Sequence, residues 1–149
     1  MNNRWNHNIH YHPVLLDAIP INTDIVLDVG CGEGTLARAL RSKAKRVVGI
    51  DLDAASIAIA RNTPIEGIEY IVGDFLSYSF PPAAFDAVLS VATLHHMNAV
   101  ASLRRMSELV RPGGIVGVIG LARDESLLDH ALSAAGLVAH RVYLATRQY

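Results

Sequence analysis

The chain has 149 residues, enough for one domain with a core but not for two. Hydrophobic residues make up 51%, charged residues 18%, and the formal net charge is -1, a balance that excludes a disordered chain and a basic domain built to attract polyanions. No apolar run reaches the roughly 18 residues needed to span a bilayer, and the single cysteine, Cys31, has no internal disulfide partner, so the expected location is cytoplasmic, away from the membrane.

The N-terminus, "MNNRWNHNIHYHP", is polar and histidine-rich, unlike a signal peptide or an anchor. A first strand is expected at 25–29 ("IVLDV"). It runs through three glycines at alternate positions, Gly30, Gly32 and Gly34, into a helix with Leu36, Ala37 and Leu40 on one face. A strand, a glycine turn and a helix form the nucleotide-binding opening of doubly wound folds. The dinucleotide fingerprint needs glycine or alanine at position 35, where Thr35 stands, so the GxGxG spacing points away from NAD. Glycines at 30 and 32 would let a ligand approach the backbone with no Cβ in the way.

The second strand, "VVGID" at 47–51, ends on Asp51, 17 residues beyond Gly34, where an acidic residue can accept hydrogen bonds from ribose hydroxyls. Asp53 suits the N-cap of the alanine-rich helix that follows. The third strand, "EYIV" at 69–72, leads into Gly73, Asp74 and Phe75. There a carboxylate can accept from the exocyclic amine of adenine and an aromatic ring can flank the base.

The fourth strand, "DAVLSV" at 86–91, precedes "ATLHHM" and a helix with Asn98 as cap. Pro112, Gly113 and Gly114 are expected to end that helix and turn the chain into a fifth strand at 114–120. These Val- and Ile-rich runs hardly alternate, which marks strands covered on both faces, so the fold class is α/β, doubly wound around a parallel sheet. Beyond Gly120, residues 124–136 have the period of a helix, and residues 137–149 fit either a sixth strand or a further helix.

Five stretches, "VLDVGCGEG", "VVGIDLD", "VGDF", "FDAVLSVATLHHM" and "LRRMSELVRPGGIVGVIG", resemble class I S-adenosylmethionine-dependent methyltransferases in order and spacing, over about residues 24–121. The resemblance implies a single domain over 1–149 with a mostly parallel sheet in the order 3-2-1-4-5 and helices on both faces. It also implies a lid segment within 1–20, and sixth and seventh strands that here are short or missing. Asp28, Gly30, Cys31 and Gly32 would shape the methionine end of the cofactor pocket. Asp51 would hold the ribose, Leu52 would pack on adenine, and Asp74 with Phe75 would read its edge and face. Ser90 and Val91 would lie beneath the sulfonium, with Tyr11 or His12 touching the methionine end from the lid.

Methyl transfer from a sulfonium is an in-line displacement, so the protein must align the acceptor and exclude water. A base is needed only for an acceptor that holds its proton tightly. His95 and His96, after the fourth strand, are the candidates, with a purely loop-shaping role as the other reading. An Asn/Asp-Pro-Pro-aromatic motif for flipped bases is absent after that strand, and the cluster Arg38, Arg41, Lys43, Lys45 and Arg46 reads as a solvated helix end, so the expected acceptor is a small molecule, not nucleic acid. No HxxxH or CxxC pattern supports a metal at His7, His10, His12 and His95. An unpaired edge at the fifth strand would favour a homodimer or cover by the tail. The alternatives are a non-catalytic S-adenosylmethionine-binding protein and a truncated methyltransferase with an incomplete acceptor site.

Overall fold

Strand formation follows from consecutive branched and apolar side chains that leave neither face of the ribbon to water. In the computed structural model, which describes residues 12–120, they form β1 (Thr23–Val29), β2 (Ala44–Asp51), β3 (Ile68–Val72), β4 (Phe85–Val91) and β5 (Val110–Ile119). All neighbouring pairs are parallel and the order is β3-β2-β1-β4-β5. This matches the expected sheet. The helices are α1 (His12–Ala18), α2 (Thr35–Leu40), α3 (Ala54–Arg61) and α4 (Ala99–Leu109), with a 3₁₀ turn at Leu94–His96.

Successive side chains of a strand point to opposite faces, and the core divides accordingly. Val26 of β1 and Val47 of β2 pack with Leu15 of α1, with Ile19 just past its end, with Leu36 and Leu40 of α2, and with Ile57 of α3. Leu27 and Val29 of β1 and Val48 and Ile50 of β2 pack on the other face with Met106 and Leu109 of α4. Three helices thus cover one face and α4 the other, which places the strand ends free of either layer.

Both expected caps form. The Asp53 carboxylate accepts the N–H groups of Ala55 and Ser56 at 3.1 and 3.2 Å, and the Asn98 side chain accepts that of Ala101 at 3.0 Å. The fifth strand begins earlier than expected. The helix stops at Leu109, and Val110 already pairs with Phe85, before the register jumps to Ala87 opposite Ile115. Arg111, Pro112, Gly113 and Gly114 form a bulge inside the strand span, with Gly113 at φ +79°. The Pro-Gly-Gly run therefore bends an element already begun. Tyr11, His7, His10 and the elements expected over 124–149 lie outside the described residues.

Candidate active site

The loop after β1 stands at the carboxyl end of the sheet, where doubly wound folds bind ligands. Gly30, Gly32 and Gly34 all take positive φ, at +72°, +51° and +79°. Their surroundings differ. A Cβ on Gly30 would fall 2.2 Å from Thr93 atoms, and one on Gly34 would fall 2.3 Å from the Tyr70 hydroxyl. A Cβ on Gly32 would have no described atom within 4 Å. The missing Cβ of Gly30 makes room for Thr93, and among the described residues Gly32 is the one loop glycine whose Cβ position meets no other atom.

The loop is anchored to β2 by the N–H groups of Gly30 and Cys31, which donate to the Ile50 carbonyl at 2.8 and 3.2 Å. The side chain of Asp51 adds a third tie. Its Oδ2 accepts the Gly32 N–H at 2.8 Å and its Oδ1 accepts the Asp53 N–H at 2.9 Å. Each carboxylate oxygen keeps lone-pair capacity for a further donor. Next to it Leu52 is 74% exposed, an apolar side chain held in water beside the loop.

Asp74 is stitched to the same edge, since Gly73 donates to the Asp51 carbonyl at 2.9 Å. The exposed Asp74 carboxylate accepts the Leu76 N–H at 3.0 Å and heads a turn closed by the Tyr78 N–H. Phe75 is 3% exposed and belongs to the same buried cluster as Leu27, Val29, Val48 and Ile50. The turn after β3 sends the side chain following Asp74 inward, and only Asp74 is left at the rim.

Ser90 and Val91 close β4. Ser90 is fully buried and its hydroxyl donates to the Val29 carbonyl at 3.0 Å, bracing β4 against β1. It thus braces the strand end from within the sheet, while Val91 is half-buried at the strand end. The chain then passes through Thr93 into the 3₁₀ turn that carries His95 and His96, with His96 exposed.

Asp28 is the site's electrostatic anomaly. It is 2% exposed, and its Oδ2 has no hydrogen-bond partner among the described residues. The N-cap of α2 is Gly34, which has no side chain to offer, and the Asp28 carboxyl accepts the Ala37 N–H in its stead. Burial and then the Asp51 carboxylate push its pKa up to about 7, with the Ala37 N–H acting in the opposite sense. Cys31 is buried beside Gly49, and burial raises its thiol further from ionisation. It is a packing residue of the loop. His12 is also buried, which lowers its pKa.

Thr93 and Tyr70 escape a reading by motif. Thr93 lies two residues past a strand with no local signal, whereas Tyr70, on β3, belongs to a period-two pattern that faces Gly49 and Gly34. A cavity of about 360 Å³ lies at the opposite, amino end of the strands, lined among others by Asp24, Asp86, Arg111 and Gly114. Its charges are already engaged: Asp86 accepts the N–H groups of Asp24 and Ile25 and pairs with Arg111 at 2.8 Å. The cavity does not reach the glycine loop. Among the described residues no three His, Cys, Asp or Glu side chains are grouped to hold a metal ion, and no helix is long and apolar enough to cross a membrane.

A five-stranded parallel sheet in this order, with a GxGxG loop tied to an acidic residue at the end of β2, defines the Rossmann-like class I fold of S-adenosylmethionine-dependent methyltransferases. The sequence profile of the family described as a methyltransferase domain matches residues 26–114. An uncharacterized methyltransferase of Mycobacterium bovis is 40% identical over 124 residues, which cover 80% of this chain and 61% of the relative. The ubiquinone biosynthesis O-methyltransferase of Chromobacterium violaceum is 34% identical over 148 residues, covering 93% of this chain and 63% of that protein. The solved S-adenosylmethionine dependent methyltransferase from Mesorhizobium loti superimposes with a TM-score of 0.61 at 33% identity, over 70% of this chain and 49% of that one. The chain belongs to the methyltransferase domain family. It spans 61% and 63% of the length of the two curated relatives named above.

Proposed function

We propose that this domain binds S-adenosylmethionine at the carboxyl ends of β1 to β4 and directs its methyl group to a small-molecule acceptor by in-line displacement. The observation that carries this reading is the Asp51 carboxylate, held by the Gly32 and Asp53 N–H groups at 2.8 and 2.9 Å beside the loop glycine whose Cβ position no described residue occupies. Held in this way, the carboxylate is oriented before a ribose diol arrives, and the hydrogen bonds it makes need little reorganisation.

The cofactor, when bound, supplies a methyl group already activated by a positively charged sulfur. The chain's own residues bind and align. Asp51 accepts from the ribose hydroxyls, exposed Leu52 gives the adenine an apolar platform, and Asp74 accepts from the exocyclic amine at the rim. Asp28 lies buried below the loop, and a cationic methionine end bound above it favours release of the proton that burial holds on its carboxyl. His96, with His95 beside it in sequence, stands past the end of β4 to take a proton from the acceptor. The likeness to an O-methyltransferase favours a hydroxyl group as that acceptor, a group that holds its proton tightly enough to need such a base.

Calorimetry with S-adenosylmethionine and S-adenosylhomocysteine tests the binding step, and formation of S-adenosylhomocysteine with a panel of hydroxylated small molecules tests transfer. Heat of binding with turnover on at least one acceptor is expected. No heat would sink the assignment, and binding without turnover on any acceptor would favour a cofactor-binding module. An unchanged turnover number in His96→Ala would remove that side chain from the mechanism.

A further inference from the structure

The segment that joins β4 to the 3₁₀ turn is bound to three elements at once. Ala92 takes φ +51°, a left-handed conformation that costs a residue with a Cβ, and its N–H donates to the Ile119 carbonyl at the end of β5 at 2.8 Å. Thr93 follows, and its Cβ, Cγ2 and Oγ1 fill the space that a side chain on Gly30 would need. The Thr93 hydroxyl donates to the Val91 carbonyl at 2.9 Å and lies 3.4 Å from the Gly30 carbonyl. With a single proton it makes the shorter bond well, and the Gly30 carbonyl stands as a competing acceptor. The carbonyl of Thr93 in turn accepts the His96 N–H at 3.0 Å, which closes the turn.

A displacement of the loop at Gly30 therefore meets Thr93 directly, and a displacement of Thr93 pulls on the His96 amide. Backbone strain persists where the surroundings over-determine it, and here the strained Ala92 fixes the entry angle of that turn.

We infer that Thr93 is a positioning residue, which transmits occupancy of the cofactor loop to the turn bearing His95 and His96 through its contact with Gly30 and its bond to the His96 amide. The inference rests on the cofactor-binding reading above. Cofactor and acceptor sites would then be coupled by differential contacts of one two-sided side chain, the requirement for energetic communication between sites.

The test is the backbone amide resonance of His96 in ¹⁵N-labelled protein, titrated to saturation with S-adenosylhomocysteine, in wild type, Thr93→Ala and Thr93→Ser. The wild-type resonance is expected to shift on saturation. Thr93→Ala, which loses the Cγ2 and hydroxyl that lie closest to Gly30 and keeps only the Cβ, is expected to bind the ligand roughly threefold to tenfold more weakly and to lose most of the His96 shift at saturation. Thr93→Ser, which keeps the hydroxyl and guards against a folding defect of the alanine variant, is expected to recover at least half of it. A full His96 shift in saturated Thr93→Ala, or none in saturated wild type, would overturn the coupling while leaving the binding reading intact. A wild type that binds no S-adenosylhomocysteine would overturn both.

Discussion

Asp51 and Gly32 are joined by a 2.8 Å hydrogen bond from the glycine N–H to the carboxylate Oδ2, so the acidic end of β2 and the open glycine of the loop form one unit. Removing the carboxylate releases the loop and deletes a ligand group together. Asp51→Ala is expected to weaken S-adenosylmethionine binding by about 2 kcal/mol or more. Leu52→Ser separates the two effects, because Leu52 is exposed and its loss leaves the fold within about 0.5 kcal/mol. Calorimetry should show weaker binding in Leu52→Ser at an unchanged melting temperature. Equal affinity in that variant would remove Leu52 from the adenine platform.

The three loop glycines answer differently to alanine. Gly30→Ala and Gly34→Ala meet Thr93 and Tyr70 at 2.2 and 2.3 Å in addition to the cost of positive φ, and each should lose about 3 kcal/mol or more of stability. Gly32→Ala meets no described atom and should lose only about 1–2 kcal/mol, yet its methyl projects into the proposed binding space. Urea denaturation beside ligand titration distinguishes them. Full cofactor affinity in Gly32→Ala would place the ligand elsewhere.

Asp28 predicts an unusual pH dependence. Its carboxyl titrates at about 7 in the folded chain against an ordinary 3.8. Across that window the folded state holds a proton that the unfolded chain has released, so this contribution is fully present below about pH 4 and is lost as pH rises through about 7. Asp28→Asn, which keeps an acceptor for the Ala37 N–H and does not titrate, should be the more stable protein at pH 8 and show a flatter profile from pH 5 to 8. Parallel stability profiles for the two proteins would contradict the raised pKa.

Phe75 is expected to behave as a core residue. Phe75→Leu should lose about 1 kcal/mol of stability through imperfect packing among Leu27, Val48 and Ile50, with cofactor affinity unchanged. A loss of affinity larger than the loss of stability would place the ring on the adenine.

The five strands, the caps at Asp53 and Asn98, and the placing of Asp51 and Asp74 at or just past strand ends were legible in the chain as local patterns: runs of branched residues, and a side chain two or three positions from the N–H it caps. The strand order followed from the resemblance to the methyltransferase family, because order is a relation among distant segments that no local pattern carries. The Pro-Gly-Gly run misled at β5, because Val110 pairs across to Phe85 and the bulge is a property of two strands, not one. The packing of Thr93 on Gly30 spans 63 positions and that of Tyr70 on Gly34 spans 36, and both depend on the register that sets neighbouring strands side by side. The inward turn of Phe75 and the raised pKa of Asp28 belong to the same category. Burial and the proximity of a second carboxylate exist only once β1, β2 and the helices close over them, so tertiary structure alone decided which loop glycine has a Cβ position that no described residue occupies and which aspartate keeps its proton.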